Sequence, residues 1–173
     1  MAFNFAPLQV GAVAQVSAGG SAAAASAAAG SDRLFGAISS GLRFSDLDRR
    51  VAHVALAVGT DQPLTLDNRL HVCPVATATY ARRQGSAAAG AGGHVTIGWV
   101  ARNAAGLMVV PSAAFGVRHL PDGAPDARPL EHAAEIQAAV GFILRGRLAV
   151  TPRVMFARSR PATVAVELTF DAR

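Results

Sequence analysis

Near the end of the chain Val164, Val166, Leu168 and Phe170 occupy alternate positions, separated by Thr163, Ala165, Glu167, Thr169 and Asp171. A repeat of two residues puts successive side chains on opposite faces of an extended strand. The segment before it behaves alike, with Leu148, Val150, Pro152, Val154 and Phe156 opposing Ala149, Thr151, Arg153, Met155 and Ala157. Upstream, Ile136, Ala138, Val140, Phe142 and Leu144 oppose Glu135, Gln137, Ala139, Gly141 and Arg145, with Ile143 as the exception. The same alternation predicts strands near Leu107–His119, Gly93–Arg102, Leu70–Arg82, Arg50–Gly59, Leu34–Phe44 and Phe5–Ser17, about nine in all with almost no room for helices. Between the first two strands the Ala/Ser run Ser21–Ala29 is flanked by glycines, which favours a flexible loop over a short helix.

The connectors sort by length. Residues 103–106 and 145–147 read as tight turns, whereas "RRQGSAAAGAGG" and "HLPDGAPDARPLEH" read as long Gly- or Pro-rich loops. A motif Leu-x-Val-x-Pro recurs at Leu70, Leu107 and Leu148, each time opening a strand. Proline removes a ladder donor and belongs at edges or bulges. Three equivalent strands cannot all be edges of one sheet, so the expectation is a bulge repeated at one level of a closed barrel.

Composition narrows the setting. Mean hydropathy is +0.32 and charged residues make up 16% of the chain. No apolar run approaches the roughly 18 residues of a membrane-spanning helix, so the hydrophobic surface lies in strands. The net charge is +5 and every basic residue is arginine, but the arginines are scattered and no basic helix or stacking platform accompanies them, which argues against nucleic acid. One cysteine, Cys73, excludes an intramolecular disulfide framework and a cysteine zinc cluster.

Up-and-down strands, apolar on one face and joined alternately by short and long connections, are how transmembrane β-barrels are built. On these features the chain resembles small bacterial outer-membrane β-barrels of the porin-like or outer-membrane-protein-A-like kind. The resemblance implies an all-β, up-and-down antiparallel transmembrane barrel of 8 to 10 strands, placed in the bacterial outer membrane. It also implies outer-membrane lipid and the barrel-insertion machinery as partners, a monomer, and long loops available to an extracellular partner. The role it implies is structural, adhesive or a passive small-solute channel, without catalysis and without a cofactor.

In that orientation Tyr80, Val95, Ile97, Trp99, Phe115, Val117, Phe142, Phe156 and Phe170 face lipid. Of these Tyr80, Trp99, Phe115, Phe156 and Phe170 are candidates for the interfacial aromatic girdles. Thr77, Thr79, Thr96, Arg118, Glu135, Gln137, Arg153 and Glu167 face the lumen. Pairing across residues 158–161 puts Arg153 roughly opposite Glu167, and an interior ion pair is expected because a lone charge in a narrow lumen is costly.

Parity divides the chain. With the C-terminus periplasmic, as the resemblance implies, residues 33–173 supply eight strands that can close. Residues 1–32 supply one strand, at about 5–17, and the Ala/Gly/Ser-rich loop. That odd strand suggests a ten-stranded barrel truncated at its N-terminus. "MAFNFAPLQVGAVAQVSAGG" has no basic residue and reads as lacking a signal peptide.

Candidates for chemistry are few. His71 and Cys73 share a face, and His53 or His94 would have to approach them to make a metal site, with no third ligand at a recognised spacing. Asp122, Asp126, Glu131 and His132 form no EF-hand-like order. Ser39 and Ser112 have no evident triad partners, and no phosphate-binding, nucleophile-elbow or zinc-protease motif occurs. The alternative fold is a soluble lipocalin-like barrel with the faces inverted and a hydrophobic ligand inside. The supposed polar face is mostly alanine, glycine, serine and threonine, which argues against contact with water.

Overall fold

The computed structural model describes residues 8–18, 20–31, 33–45, 49–83, 86–102, 107–119, 132–144, 147–157 and 161–172. In chain order the strands are β1 (Leu8–Ser17), β2 (Gly20–Gly30), β3 (Leu34–Ser45), β4 (Arg49–Thr60), β5 (Gln62–Pro63) and β6 (Leu70–Arg83). They continue as β7 (Ser86–Trp99), β8 (Ala101–Arg102), β9 (Leu107–His119), β10 (His132–Leu144), β11 (Leu148–Ala157) and β12 (Thr163–Asp171). All pairings are antiparallel, each long strand pairs with the next long strand in sequence, and β1 pairs with β12, so the sheet closes on itself. Ten long strands form the wall, while β5 and β8 are short continuations of β4 and β7. Strands of 9 to 14 residues, rising about 3.3 Å per residue and tilted about 45°, are long enough to cross a hydrocarbon layer.

Two expectations about the N-terminal third need correction. The Ala/Ser run is neither loop nor helix but strand β2, laddered to β1 from Leu8↔Ala29 to Ser17↔Gly20 and to β3 from Ser21↔Phe44 to Gly30↔Phe35. The odd first strand therefore has its partner within the chain, and ten strands close without one from upstream. Alanine on both faces carries no hydrophobic period, so this strand is specified by the edges of its two neighbours. The stretch "RRQGSAAAGAGG" is also mostly strand, since β6 runs to Arg83 and β7 starts at Ser86. Residues 120–131 and 103–106, taken above as a long loop and a tight turn, lie outside the described residues.

Leu8 and Asp171 lie at one end of the barrel, here the terminal end, with connections 31–33, 61–69, 100–106 and 145–147. At the opposite, distal end β1, β3, β6, β9 and β11 finish and β2, β4, β7, β10 and β12 begin.

The three Leu-x-Val-x-Pro prolines do not produce bulges. The ladder between β4 and β6 runs to Gly59↔Val75 and resumes in unchanged register at Gln62↔Val72. Between β7 and β9 it runs to Gly98↔Ser112 and resumes at Ala101↔Val109. Between β10 and β11 it runs to Ala139↔Arg153 and resumes at Phe142↔Val150. An unchanged register means no extra residue, which excludes a bulge. Each outward proline instead lacks the N–H that would bond the preceding strand, and two rungs open there. On its other side each proline keeps its partner, as Pro74↔Val95, Pro111↔Val140 and Pro152↔Val166. The amides opposite the first two gaps are used elsewhere. Asp61 N–H donates to the Arg33 carbonyl at 2.8 Å, and Val100 N–H to the Arg69 carbonyl at 2.7 Å.

An apolar cluster fills the inside near the terminal end: Phe35, Cys73, Val100 and Val110, with Val75, Met108 and Ile143 packed against it. Gly59 makes room for the Phe35 ring, because a Cβ there would lie 2.5 Å from Phe35 Cζ and 2.8 Å from the Pro74 carbonyl oxygen. Gly59→Ala should cost about 1–3 kcal/mol by overpacking, seen as a lower urea midpoint in detergent micelles. An unchanged midpoint would mean that the ring is not held against this strand.

Candidate functional site

Among the described residues there is no helix, and the functional surfaces of this chain are the two faces of its wall. Strand alternation assigns every described residue of the ten long strands to one or the other. The outward face is mostly apolar: Leu8, Val10 and Val16 on β1, Ile38 and Leu42 on β3, Val54, Leu56 and Val58 on β4, and Val164, Val166 and Leu168 on β12 are all exposed. Near the distal end it carries Phe44, Tyr80, Phe115 and Phe156, and near the terminal end Trp99, Phe142 and Phe170, all exposed. Water would penalise so continuous an apolar surface, whereas hydrocarbon bordered by aromatic residues at both interfaces suits it. The lipocalin-like alternative required these faces to be reversed, and they are not. Small residues and prolines corrugate this surface. One groove, of about 720 Å³, runs past Ile97, Trp99, Pro111, Ala138 and Pro152.

Inward, away from the Phe35 cluster, the wall is mostly small or polar. Ala22, Ala24, Ser26 and Ala28 of β2, Ala55 and Ala57 of β4, and Thr77 and Thr79 of β6 face the lumen with His53 and His94. Arg153 Nη1 donates to Glu167 Oε2 at 3.3 Å, with about a fifth of each side chain exposed. The register pairs Thr151 with Glu167 and Arg153 with Ala165, so the contact is diagonal across the hairpin, one step off the direct opposition read from the sequence. Glu135 and Gln137 face the lumen from β10. Arg118 stands in β9, its backbone paired with Gly92, and its side chain lies outside the described residues.

The structure also assembles a polar cluster that includes a residue not singled out in the sequence. Asp61, in the gap between β4 and β5, accepts from Cys73 Sγ at 3.4 Å and lies 2.8 Å from His71 Nδ1. His71 Nε2 is 2.9 Å from the Asn68 carbonyl oxygen. Both partners of the ring are acceptors, so any N–H it carries is bonded, and the imidazole ties the 64–69 turn to the barrel wall. In that turn the Thr65 hydroxyl accepts from the amides of Arg69 and Leu70. The same hydroxyl holds the exposed Asp67 carboxyl below its ordinary range. Asn68 takes the left-handed conformation at φ 52° that asparagine tolerates.

This cluster is not arranged for catalysis. Cys73 is 2% exposed and faces a carboxylate, the reverse of the accessible, electropositive setting of a reactive thiol. Among the described residues no three His, Cys, Asp or Glu side chains are grouped to hold a metal ion. Asp61 follows the end of a strand and belongs to no sequence motif; its signal is Pro74, one rung away on the facing strand.

Solved structures share the architecture. The β domain of the Bordetella autotransporter BrkA superposes with a TM-score of 0.57 at 10% identity, over 95% of this chain and 97% of that one. The fold is that of a bacterial outer-membrane β-barrel. The KdgM porin gives a TM-score of 0.53 at 6% identity, over 95% of this chain and 99% of its own. A structure described as a bacterial polysaccharide outer membrane secretin gives 0.54 at 10% identity, over 98% of this chain and 67% of that one. No protein-family model matches the chain, and no curated protein matches it in sequence. At these identities the likeness concerns the fold.

Proposed function

We propose that the chain resides in the bacterial outer membrane as a barrel with a structural role, its lumen narrowed at the terminal end, and that it performs no catalysis. The observation that carries this reading is the division of the wall, with a mostly apolar exterior bounded by aromatics and an interior of small and polar residues that includes the Arg153–Glu167 ion pair. The Phe35 cluster supports a narrowed lumen, since it fills the space beside β3, β6, β9 and β10 near the terminal end. A second reading, passive passage of small solutes, draws on the alanines and glycines that β2, β4 and β7 turn inward, and on the likeness to a protein named as a porin. Adhesive contacts would fall to the distal connections.

The first test is refolding from urea into detergent micelles, with heated and unheated samples compared on a denaturing gel and far-UV circular dichroism taken on the same material. A compact band that shifts on heating, with a β spectrum in detergent alone, is the expected result. Cooperative β folding in plain buffer would overturn the reading. Conductance of the refolded protein in a planar bilayer then separates the two roles, steady current favouring passage and silence favouring a scaffold.

A further inference from the structure

The outward faces of the ten long strands carry two charged side chains among the described residues, Arg50 and Arg82, and the register makes them neighbours. Arg50 of β4 stands opposite Phe44 of β3. Two residues along β4, Ala52 stands opposite Leu42 on one side and Arg82 of β6 on the other, and the next outward pair is Val54 with Tyr80. The two arginines are thus diagonal neighbours on adjacent strands, with α-carbons about 7–8 Å apart or less. Both are exposed, and neither has an ion-pair partner among the described residues.

Two cations side by side, unpaired and without another outward charge beside them among the described residues, attract an anion from the same side. Their level tells which anion. Leu42, Val54 and Tyr80 lie on the side of the barrel's middle, Phe44 lies alongside, and the strand ends follow within a few residues. An arginine just beyond an interfacial aromatic can extend its head to the headgroup plane while its methylenes stay on apolar surface. There the available anion is phosphate, and the planar guanidinium fork matches it with two parallel N–H donors.

We propose that Arg50 and Arg82 together clamp the phosphate of an anionic lipid headgroup in the leaflet at the distal end. The clamp rests on the membrane-barrel reading above and adds a partner to it. Acyl chains of the bound lipid lie on Leu42, Val54 and Tyr80, so the site selects a lipid and not a free anion. The other exposed arginines described, Arg33, Arg69 and Arg147, belong to terminal-end connections and have no such apolar apron.

The probe is lipid A carrying two phosphates, added to the barrel in amine-oxide micelles, which contain no phosphate, and detected as retained lipid by native mass spectrometry. The wild-type chain is expected to retain one lipid A. Arg50→Ala with Arg82→Ala should lower the bound fraction at least about tenfold, given the strength of charge-assisted bonds. Arg33→Ala with Arg147→Ala should leave it unchanged. Equal retention by the Arg50/Arg82 double variant overturns the clamp. Equal retention of a lipid A stripped of its phosphates overturns the phosphate assignment, and displacement by millimolar inorganic phosphate overturns the lipid assignment in favour of a free-anion site. The heat-shifted band verifies that each variant is folded, and Arg50→Gln with Arg82→Gln replaces the alanine pair if that pair does not fold. Absence of the band in the wild type would instead refute the barrel reading.

Discussion

Leu56→Arg is expected to destabilise the barrel in phosphatidylcholine vesicles by about 2–4 kcal/mol, the cost of arginine near the bilayer midplane on a barrel's lipid face. Leu56 lies near the middle of β4, faces outward and is 54% exposed. In a water-soluble protein, arginine at so exposed a position would be nearly neutral. The same substitution at Ala52, outward on the same strand but closer to the distal end, should cost about 1 kcal/mol or less. Urea titration of both variants measures this depth dependence. Equal, small effects would remove the membrane from the account.

The second large effect is expected inside. Arg153→Ala leaves the Glu167 carboxylate in the lumen without the guanidinium 3.3 Å away. Breaking a buried pair by removing one partner costs several kcal/mol, and with about a fifth of each side chain exposed a loss of about 2–3 kcal/mol is expected. Glu167→Ala should cost a similar amount. The double variant should cost clearly less than the sum, with a coupling of at least about 1 kcal/mol. Additive losses would show that the two groups do not depend on each other.

How far the sequence discloses this architecture depends on side-chain contrast. From Leu34 onward most strands alternate large apolar with small or polar residues, and β9, β11 and β12 have the bounds that alternation predicts. Alternation also places Arg153 and Glu167 on one face, and the hairpin places them within reach. Where both faces are alanine or glycine, as in β2 and the first half of β7, no contrast exists and the strand is imposed by neighbours with open ladder edges. The count of nine strands, and with it the supposed truncation, followed from that blank stretch. Asp61 was hidden for another reason: its partners Cys73 and His71 come from the far side of a turn. The prolines were visible as a repeat, but their effect was not. A missing N–H can be met by an added residue or by an opened ladder, and sequence alone does not choose between them.

The opened ladders divide the molecule. Within β6–β7, β9–β10 and β11–β12 the rungs are continuous, and each of these pairs begins with a proline strand. Between one pair and the strand before it, two rungs are missing. More than half of the circumference is therefore a tandem array of hairpin modules, each complete within itself and joined to its predecessor by a looser seam. A seam that already lacks two rungs makes fewer demands on the strand that meets it. Gain or loss of a whole module there changes the circumference by two strands and leaves both ends of the chain on the same side. Such a barrel can change its bore in steps of one hairpin, with closure preserved at every step.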